Sequence, residues 1–261
     1  MPKSKSALVL RFLVLSVGIV SAFGQGAGVP ADANAEELAG RVVKMHEAWG
    51  PAASTPNTSL SLKEASREGA VIKVRLYATG VPKQGTYTLV TWPVTQRGPS
   101  EALRGITFDE SGLAVCAGTP GTCGTPNKPN DPIDITLNPV PGEPSRLGLI
   151  SSDQSAKIFA KIVPLPMRGE DKGCSVEAIL LTPGSELIAI EGSGFAPNSV
   201  VAMDTVSEGE RHAGKGKTDA DGRYVSAVLP YKQGMTRGTA KVSLKSSACA
   251  PSVSFPWGRR N

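Results

Sequence analysis

Histidine is nearly absent. Two His in 261 residues do not furnish a histidine-rich metal centre. Aromatic residues are scarce as well, at 5%. Uninterrupted helix-forming stretches are lacking, because 29 Gly and 21 Pro break helices throughout, and a long coiled coil is excluded. No Gly-x-Ser-x-Gly elbow and no Ser-x-x-Lys pair occurs, and no C-x-x-C redox motif. Gly209-Glu-Arg-His-Ala-Gly214-Lys215 begins like a phosphate loop, but Gly216 stands where Ser or Thr is required. The neighbouring pattern is strand-like and supplies no helix N-terminus. His46 and His212, the only candidates for a catalytic triad, have no partnered nucleophile motif. The sequence therefore implies no catalytic residue, cofactor or metal. With 40% hydrophobic residues it can still bury a core, so wholesale disorder is excluded.

Only the first residues suggest membrane engagement. Lys3, Lys5 and Arg11 precede a short apolar run, Phe12–Val20, too short for a bilayer span of ~20 residues. Small residues follow, and both Val20-Ser21-Ala22 and Ala22-Phe23-Gly24 fit signal cleavage. Residues 1–24 read as a secretory signal, and the mature protein is expected to be secreted or periplasmic, without a membrane span. Removing the three signal cations leaves 25 Lys+Arg against 23 Asp+Glu, so the net charge falls from +5 to +2. No basic face remains to suggest nucleic acid.

The four cysteines, Cys116, Cys123, Cys174 and Cys249, all lie beyond the signal. An exported compartment favours disulfides. Four cysteines allow three pairings. Ala-Gly-Thr-Pro-Gly-Thr between Cys116 and Cys123 can turn and bring them together, which leaves Cys174 to Cys249. A zinc knuckle would need closer spacing.

Asn34–Trp49 predicts an amphipathic helix. Leu38, Val42, Met45 and Trp49 share one face, Asn34 and Glu37 make a capping box, and Gly50-Pro51 stops it. The expected role is packing on its own domain; the alternative is docking to a partner. Residues 25–58 are this helix and a Pro/Ser/Thr linker. Beyond them the chain reads as strands and turns. Alternation marks strands at Ile72–Leu76, Thr86–Trp92, Ile158–Ile162, Val176–Leu180 and Ala240–Leu244. Residues 117–145 read as a Pro-rich loop with one short strand near Ile133–Leu137.

An internal repeat emerges from turn chemistry. Gly80-Val-Pro82 precedes one strand, and Gly194-Phe-Ala-Pro197 precedes another, Ser199–Asp204. Each is followed by an Asp-x-x-Gly turn: Asp109 to Gly112, then Asp219 to Gly222. The Asp219-Ala-Asp221-Gly222 run also matches part of a calcium loop. Yet the twelfth position is Pro230 and the glycine sits at four instead of six, so a tight turn is expected. Two all-β domains follow, residues 59–172 and 173–261, the second with about seven short strands, as in a β-sandwich. The joint is placed at Glu170-Asp171-Lys172-Gly173.

Glu191-Gly-Ser-Gly-Phe-Ala-Pro197, Thr218-Asp-Ala-Asp-Gly-Arg-Tyr224 and Leu229-Pro230 resemble the Ig-like and carboxypeptidase-regulatory-like modules of secreted bacterial proteins. The resemblance spans about 70 residues near the C-terminus and, more weakly, the first repeat. It implies a sandwich fold, a binding, adhesive or spacer role, and no catalytic residues. The expected function is that of a secreted or periplasmic protein of two Ig-like domains that binds a protein or glycan or contributes structurally to the cell envelope. The expected surfaces are loop 117–145 and a basic hairpin, 209–218. The alternative function is a secreted carbohydrate hydrolase with a carboxylate pair on a sandwich face.

Overall fold

The computed structural model describes Lys44 and residues 49–258, except 95, 97–98, 119–122, 124–127 and 183–186. The signal segment, His46 and most of the helix expected over Asn34–Trp49 lie outside these residues. What is described is all-β, arranged as two β-sandwiches in tandem.

The first sandwich contains β1 (Ser59–Glu68), β2 (Val71–Thr79), β3 (Tyr87–Trp92), β4 (Ser100–Phe108), β5 (Ala114–Cys116), β6 (Asp134–Leu137), β7 (Ser145–Ser151) and β8 (Lys157–Ile162). One sheet runs β1-β2-β6, the other β5-β4-β3-β7-β8. The second sandwich contains β9 (Met167–Asp171), β10 (Cys174–Leu180), β11 (Ile188–Ser193), β12 (Val200–Ser207), β13 (Glu210–Lys217), β14 (Tyr224–Val228), β15 (Arg237–Lys245) and β16 (Ser252–Gly258). Its sheets run β14-β11-β10-β9 and β13-β12-β15-β16.

Alternation explains which faces meet. In β2, Ile72, Val74, Leu76 and Ala78 are buried, while Lys73 is exposed. Leu76, Leu89, Ile106, Leu149 and Ile158 fill the first core. Val176, Ile190, Val242, Leu244 and Phe255 fill the second. Each such side chain contributes ~1.5–3 kcal/mol on burial, which two facing sheets can collect and a lone sheet cannot.

The repeat read from turns is a repeat of topology. β4-β3-β7-β8 has the pairing order of β13-β12-β15-β16, and the hairpin β1–β2 corresponds to β10–β11. β6 beside β2 takes the place that β14 takes beside β11.

Three sequence expectations need correction. Lys172-Gly173 is not a joint. It is the turn of the β9–β10 hairpin, with φ +47° and +85° and Asp171 paired to Cys174. A polar, Gly-terminated run is the chemistry of a tight turn as much as of a linker. β9 belongs to the second sandwich, which has eight strands among the described residues, and the units meet within 163–166. Second, the basic hairpin turns at Glu208-Gly209, with φ +45° and +84°, and residues 210–217 form β13, an edge strand on β12. Third, the segment after Trp49 is no free linker. Pro51–Ala53 make a 3-10 turn. Ser54 Oγ accepts the Phe159 N–H at 2.8 Å, Thr55 Oγ1 accepts the Lys157 N–H at 2.9 Å, and the Thr55 N–H donates to the Lys157 carbonyl. These bonds cover the open edge of β8, where unpaired backbone groups would otherwise template foreign strands.

The Pro-rich stretch also has a structural task. It contains β6 and then reaches the second sandwich. The Gly142 N–H donates to the Leu165 carbonyl at 2.8 Å, and the Gly142 carbonyl accepts the Leu180 N–H at 2.8 Å. Val140 packs on the second core. Residues 138–144 thus strap the two sandwiches together.

Candidate functional site

Several half-buried charges lie near the joint. Near the end of β8 stands Lys161, whose Nζ lies 3.1 Å from Glu191 Oε1 on β11. Arg223 Nη2 lies 4.0 Å from the other Glu191 oxygen. Glu191 stands opposite Glu177 in the β10–β11 ladder, and Glu177 stands opposite Arg168 of β9. Two carboxylates on one outward face therefore flank each other. Burial pushes the Glu177 carboxyl up, and the neighbouring Glu191 charge adds to this, while Lys161 and Arg168 pull it back. Beside them Ile179, Ala189 and Ala227 are buried on the same outward face, packed by Val163, Leu181 and Leu187.

Near the joint a cavity of about 340 Å³ opens between the first sandwich and the strap. That size lies at the low end for small-molecule pockets. Ile135, Leu137, Leu147 and Pro139 give it apolar walls, Thr136 and Asn138 add polar groups, and Glu143 and Arg146 carry its charges. Arg146, near the start of β7, pairs in register with Trp92 and Lys161. Its guanidinium lies over the Trp92 ring at 5.2 Å. Trp49 meets Trp92 and Phe159 edge to face at 5.4 and 5.0 Å. Arg146 is only 3% exposed, and its Nε and Nη2 are buried without a hydrogen-bond partner. Burial lowers its pKa.

A second cavity, about 220 Å³, lies against the first repeat turn and is lined by Gly80, Lys83, Phe108, Asp109 and Gly112. The backbone N–H bonds of the turn beside it recur in its counterpart. Asp109 Oδ1 accepts the N–H groups of Ser111 and Leu113 at 2.8 and 2.9 Å. Asp219 Oδ1 accepts those of Asp221 and Arg223 at 3.0 and 2.8 Å. Gly112 and Gly222 donate to the Asp109 and Asp219 carbonyls at 3.1 and 3.2 Å. The Asp219 carboxylate is therefore engaged by its own turn. Among the described residues no group of three or more His, Cys, Asp or Glu is placed to hold a metal ion. The Pro82 carbonyl accepts the Tyr87 hydroxyl at 2.9 Å. Pro197 lies in the turn where the Ala196 carbonyl accepts Ser199 and Thr218 hydroxyls at 2.7 Å.

Cys116 bonds Cys123, and Cys174 bonds Cys249. The second bridge links the start of β10 to the segment before β16, so it joins the two sheets of that sandwich. His212 is exposed on β13. No helix among the described residues is long and apolar enough to cross a membrane.

Sequence reasoning did not single out Lys161, Glu177, Glu191 or Arg146. A usable signal was present: one charge inside an otherwise apolar strand, as in Cys-Ser-Val-Glu177-Ala-Ile-Leu and Arg146-Leu-Gly-Leu-Ile. Such a charge rarely sits in a strand interior without a partner or a task. No family model matches the chain, and no curated protein matches it.

Proposed function

We propose that the chain is a secreted or periplasmic, non-catalytic binding or structural protein built from two Ig-like modules, with a protein or glycan as partner. The observation that carries this reading is the duplication of one sandwich, in which β1–β4 and β6–β8 recur in pairing order as β10–β16 and only β5 and β9 stand alone. Tandem copies of one module, stapled by disulfides and held by a strap, suit a protein that presents surfaces. The best surface is β13. It is a sheet edge with an open row of backbone groups, and it carries exposed Arg211, His212, Lys215 and Lys217 beside the small Gly214 and Gly216. An extended acidic segment of a partner can add to such an edge as a further strand. The test is capture of envelope proteins and glycans on the immobilised chain, compared with a Lys215→Glu/Lys217→Glu variant. A specific partner retained by the wild type and lost by the variant, at unchanged melting temperature, is the expected result. Equal capture by both, or none by either, counts against it.

The second reading, a carbohydrate hydrolase, draws on one observation. Glu177 and Glu191 are paired carboxylates on a sandwich face, one with a raised pKa. A carboxyl held protonated beside a second carboxylate is the equipment of general acid catalysis. Release of reducing sugar from polysaccharide, abolished by Glu177→Gln, would establish it.

A further inference from the structure

The outer face of the β13-β12-β15-β16 sheet gathers unpaired positive charge. Burial fixes which side is outer: Val201 and Thr205 of β12, and Val242 and Leu244 of β15, lie in the interior. Residues directly opposite each other in an antiparallel pair share a face. Val200, Ala202 and Val206 of β12 therefore point outward, opposite Lys217, Lys215 and Arg211 of β13. On the other side of β12, Ala202 and Val206 stand opposite Lys245 and Lys241 of β15. The cations form two columns, on β13 and on β15, and the β12 column between them has short side chains. Two strand spacings put the cationic columns ~10 Å apart.

Lys215, Lys217, Lys241 and Lys245 are exposed. Among the described residues none of the four makes an ion pair. Asp204, the acid in the middle column, is held by Arg211, with Nε to Oδ1 at 2.8 Å. At the hairpin end, Glu208 Oε1 accepts the Thr239 N–H at 2.6 Å. The other sheet of the same sandwich pairs its charges instead: Lys161 and Arg223 flank Glu191, and Arg168 meets Glu170. Cations ~10 Å apart lie within about a Debye length of each other at physiological salt, so their fields add. Such a face attracts anions. The linear sequence shows no basic face because β13 and β15 are far apart in the chain and meet only through β12.

Three features select the anion. The lysine columns follow β12 along its length, which suits an extended chain better than a compact ion. No aromatic ring stands on the face, since the outward positions of β16 are Ser252, Ser254 and Pro256. It thus has no platform for stacking nucleobases and no ring to anchor in a bilayer interface. Asp204 places a carboxylate between the columns, which repels a polymer charged at every step but accepts hydrogen bonds from hydroxyls. A sugar polymer whose carboxylates are separated by hydroxyls meets all three conditions.

We propose that this face binds a linear acidic polysaccharide, a polyuronate, laid along β12 with its carboxylates between the lysines of β13 and β15. The proposal rests on the binding-protein reading above and gives it a glycan, held by the face of the sheet and not by its edge.

The full chain is titrated by calorimetry with polygalacturonate and with its methyl ester as the uncharged counterpart. Oligothymidylate and phosphatidylglycerol vesicles serve as other anionic partners. Saturable binding of polygalacturonate is expected, weakening as salt rises, with the methyl ester at least about tenfold weaker. Lys241→Glu/Lys245→Glu should weaken it at least about tenfold at unchanged melting temperature, and so should Lys215→Glu/Lys217→Glu. Lys63→Glu/Lys73→Glu makes the same charge change on β1 and β2 of the first sandwich and should leave affinity within about twofold. If the β15 glutamates disturb folding, Lys241→Gln/Lys245→Gln carries the same prediction with a smaller loss. Failure to bind polygalacturonate overturns the proposal and leaves the β13 edge to its own capture experiment. Binding that is lost in the β13 variant but intact in both β15 variants also overturns it, because the edge alone would then hold the polymer. Equal binding of the methyl ester removes the role of charge, and equal loss in Lys63→Glu/Lys73→Glu reduces the effect to net charge; each sinks the proposal. Tighter binding of oligothymidylate or of the vesicles than of polygalacturonate assigns the face to a different partner and refutes the polyuronate.

Discussion

Substituting Gly222 with alanine separates two effects that usually act together. Gly222 has φ +74°, and a Cβ there would fall well inside 3.0 Å of the Phe195 carbonyl oxygen. The left-handed conformation costs an L-residue ~1–2 kcal/mol. Pushing a methyl group against a fixed backbone carbonyl adds ~1–3 kcal/mol of overpacking. That carbonyl cannot simply swing aside, because the next carbonyl, of Ala196, accepts the Ser199 and Thr218 hydroxyls and the Asn198 N–H donates to the Asp219 carbonyl, which pins the Phe195 segment to the Asp219 turn. The expected loss for Gly222→Ala is therefore about 3 kcal/mol. Gly209 is the control. It has φ +84°, but its Cβ would meet nothing within 4 Å, so Gly209→Ala should lose only the conformational part, ~1–2 kcal/mol. Gly112, φ +81° and facing the Ala78 carbonyl, should behave like Gly222 but in the first sandwich. Urea denaturation followed at Trp257, in the second core, and at Trp92, in the first sandwich, reads the two units separately. If Gly222→Ala costs no more than Gly209→Ala, the close approach is slack and the argument from packing fails.

Removing Cys174–Cys249, sequence separation 75, should cost about 4.5 kcal/mol in the chain-entropy model. Removing Cys116–Cys123, separation 7, should cost about 2.5 kcal/mol; paired Cys→Ala variants in urea test the order. Asp153 is held at about 2, below its ordinary 3.8, first by the Ser151 hydroxyl and then by the Ser155 N–H and hydroxyl. An acid depressed on folding stabilises above its unfolded value, so this contribution is full above about pH 4 and is lost as pH falls through about 2; Asp153→Asn should flatten that part of the acid-unfolding curve. Glu177 has the opposite sign. Its carboxyl is raised by burial and by Glu191, so stability should fall as pH rises through its titration, and Glu177→Gln should be the more stable protein at pH 7. A chain beginning at residue 173 lacks β9 and should unfold at lower urea than one beginning at residue 163, which keeps the β9–β10 pairing.

Much of the fold was readable because buried sheets impose a period of two. Ile72–Leu76, Val176–Leu180 and Ala240–Leu244 lie in β2, β10 and β15. The turn motif was readable because few residues tolerate positive φ, which Gly112, Gly194 and Gly222 adopt. Other elements gave no such signal. β13 is an edge strand with glycines and charges, largely exposed and without an apolar stripe. β9 offers only Met167 to the core. The joint was misplaced because hairpin turns and linkers draw on the same polar, glycine-bearing vocabulary. The candidate sites were least legible of all. Glu177, Glu191 and Arg146 gain their meaning from neighbours across a ladder, and register is a tertiary fact that spacing along one strand does not encode.

The strap has a consequence for the order in which the chain can be finished. Residues 138–144 come before β7 and β8 in the chain, yet Val140 and Gly142 find their seats on Leu165, Leu180 and the second core. A chain emerging from its N-terminus first therefore presents this segment before its receiving surface exists. Until β10 and β11 arrive, the first sandwich carries an unsheltered Val140 and two backbone groups without partners. Its last stretch is closed from outside, by the neighbour that it precedes. The two modules are thus sequential in the gene and interdependent in assembly, so any cargo handler that meets the chain midway meets an exposed apolar latch between β6 and β7.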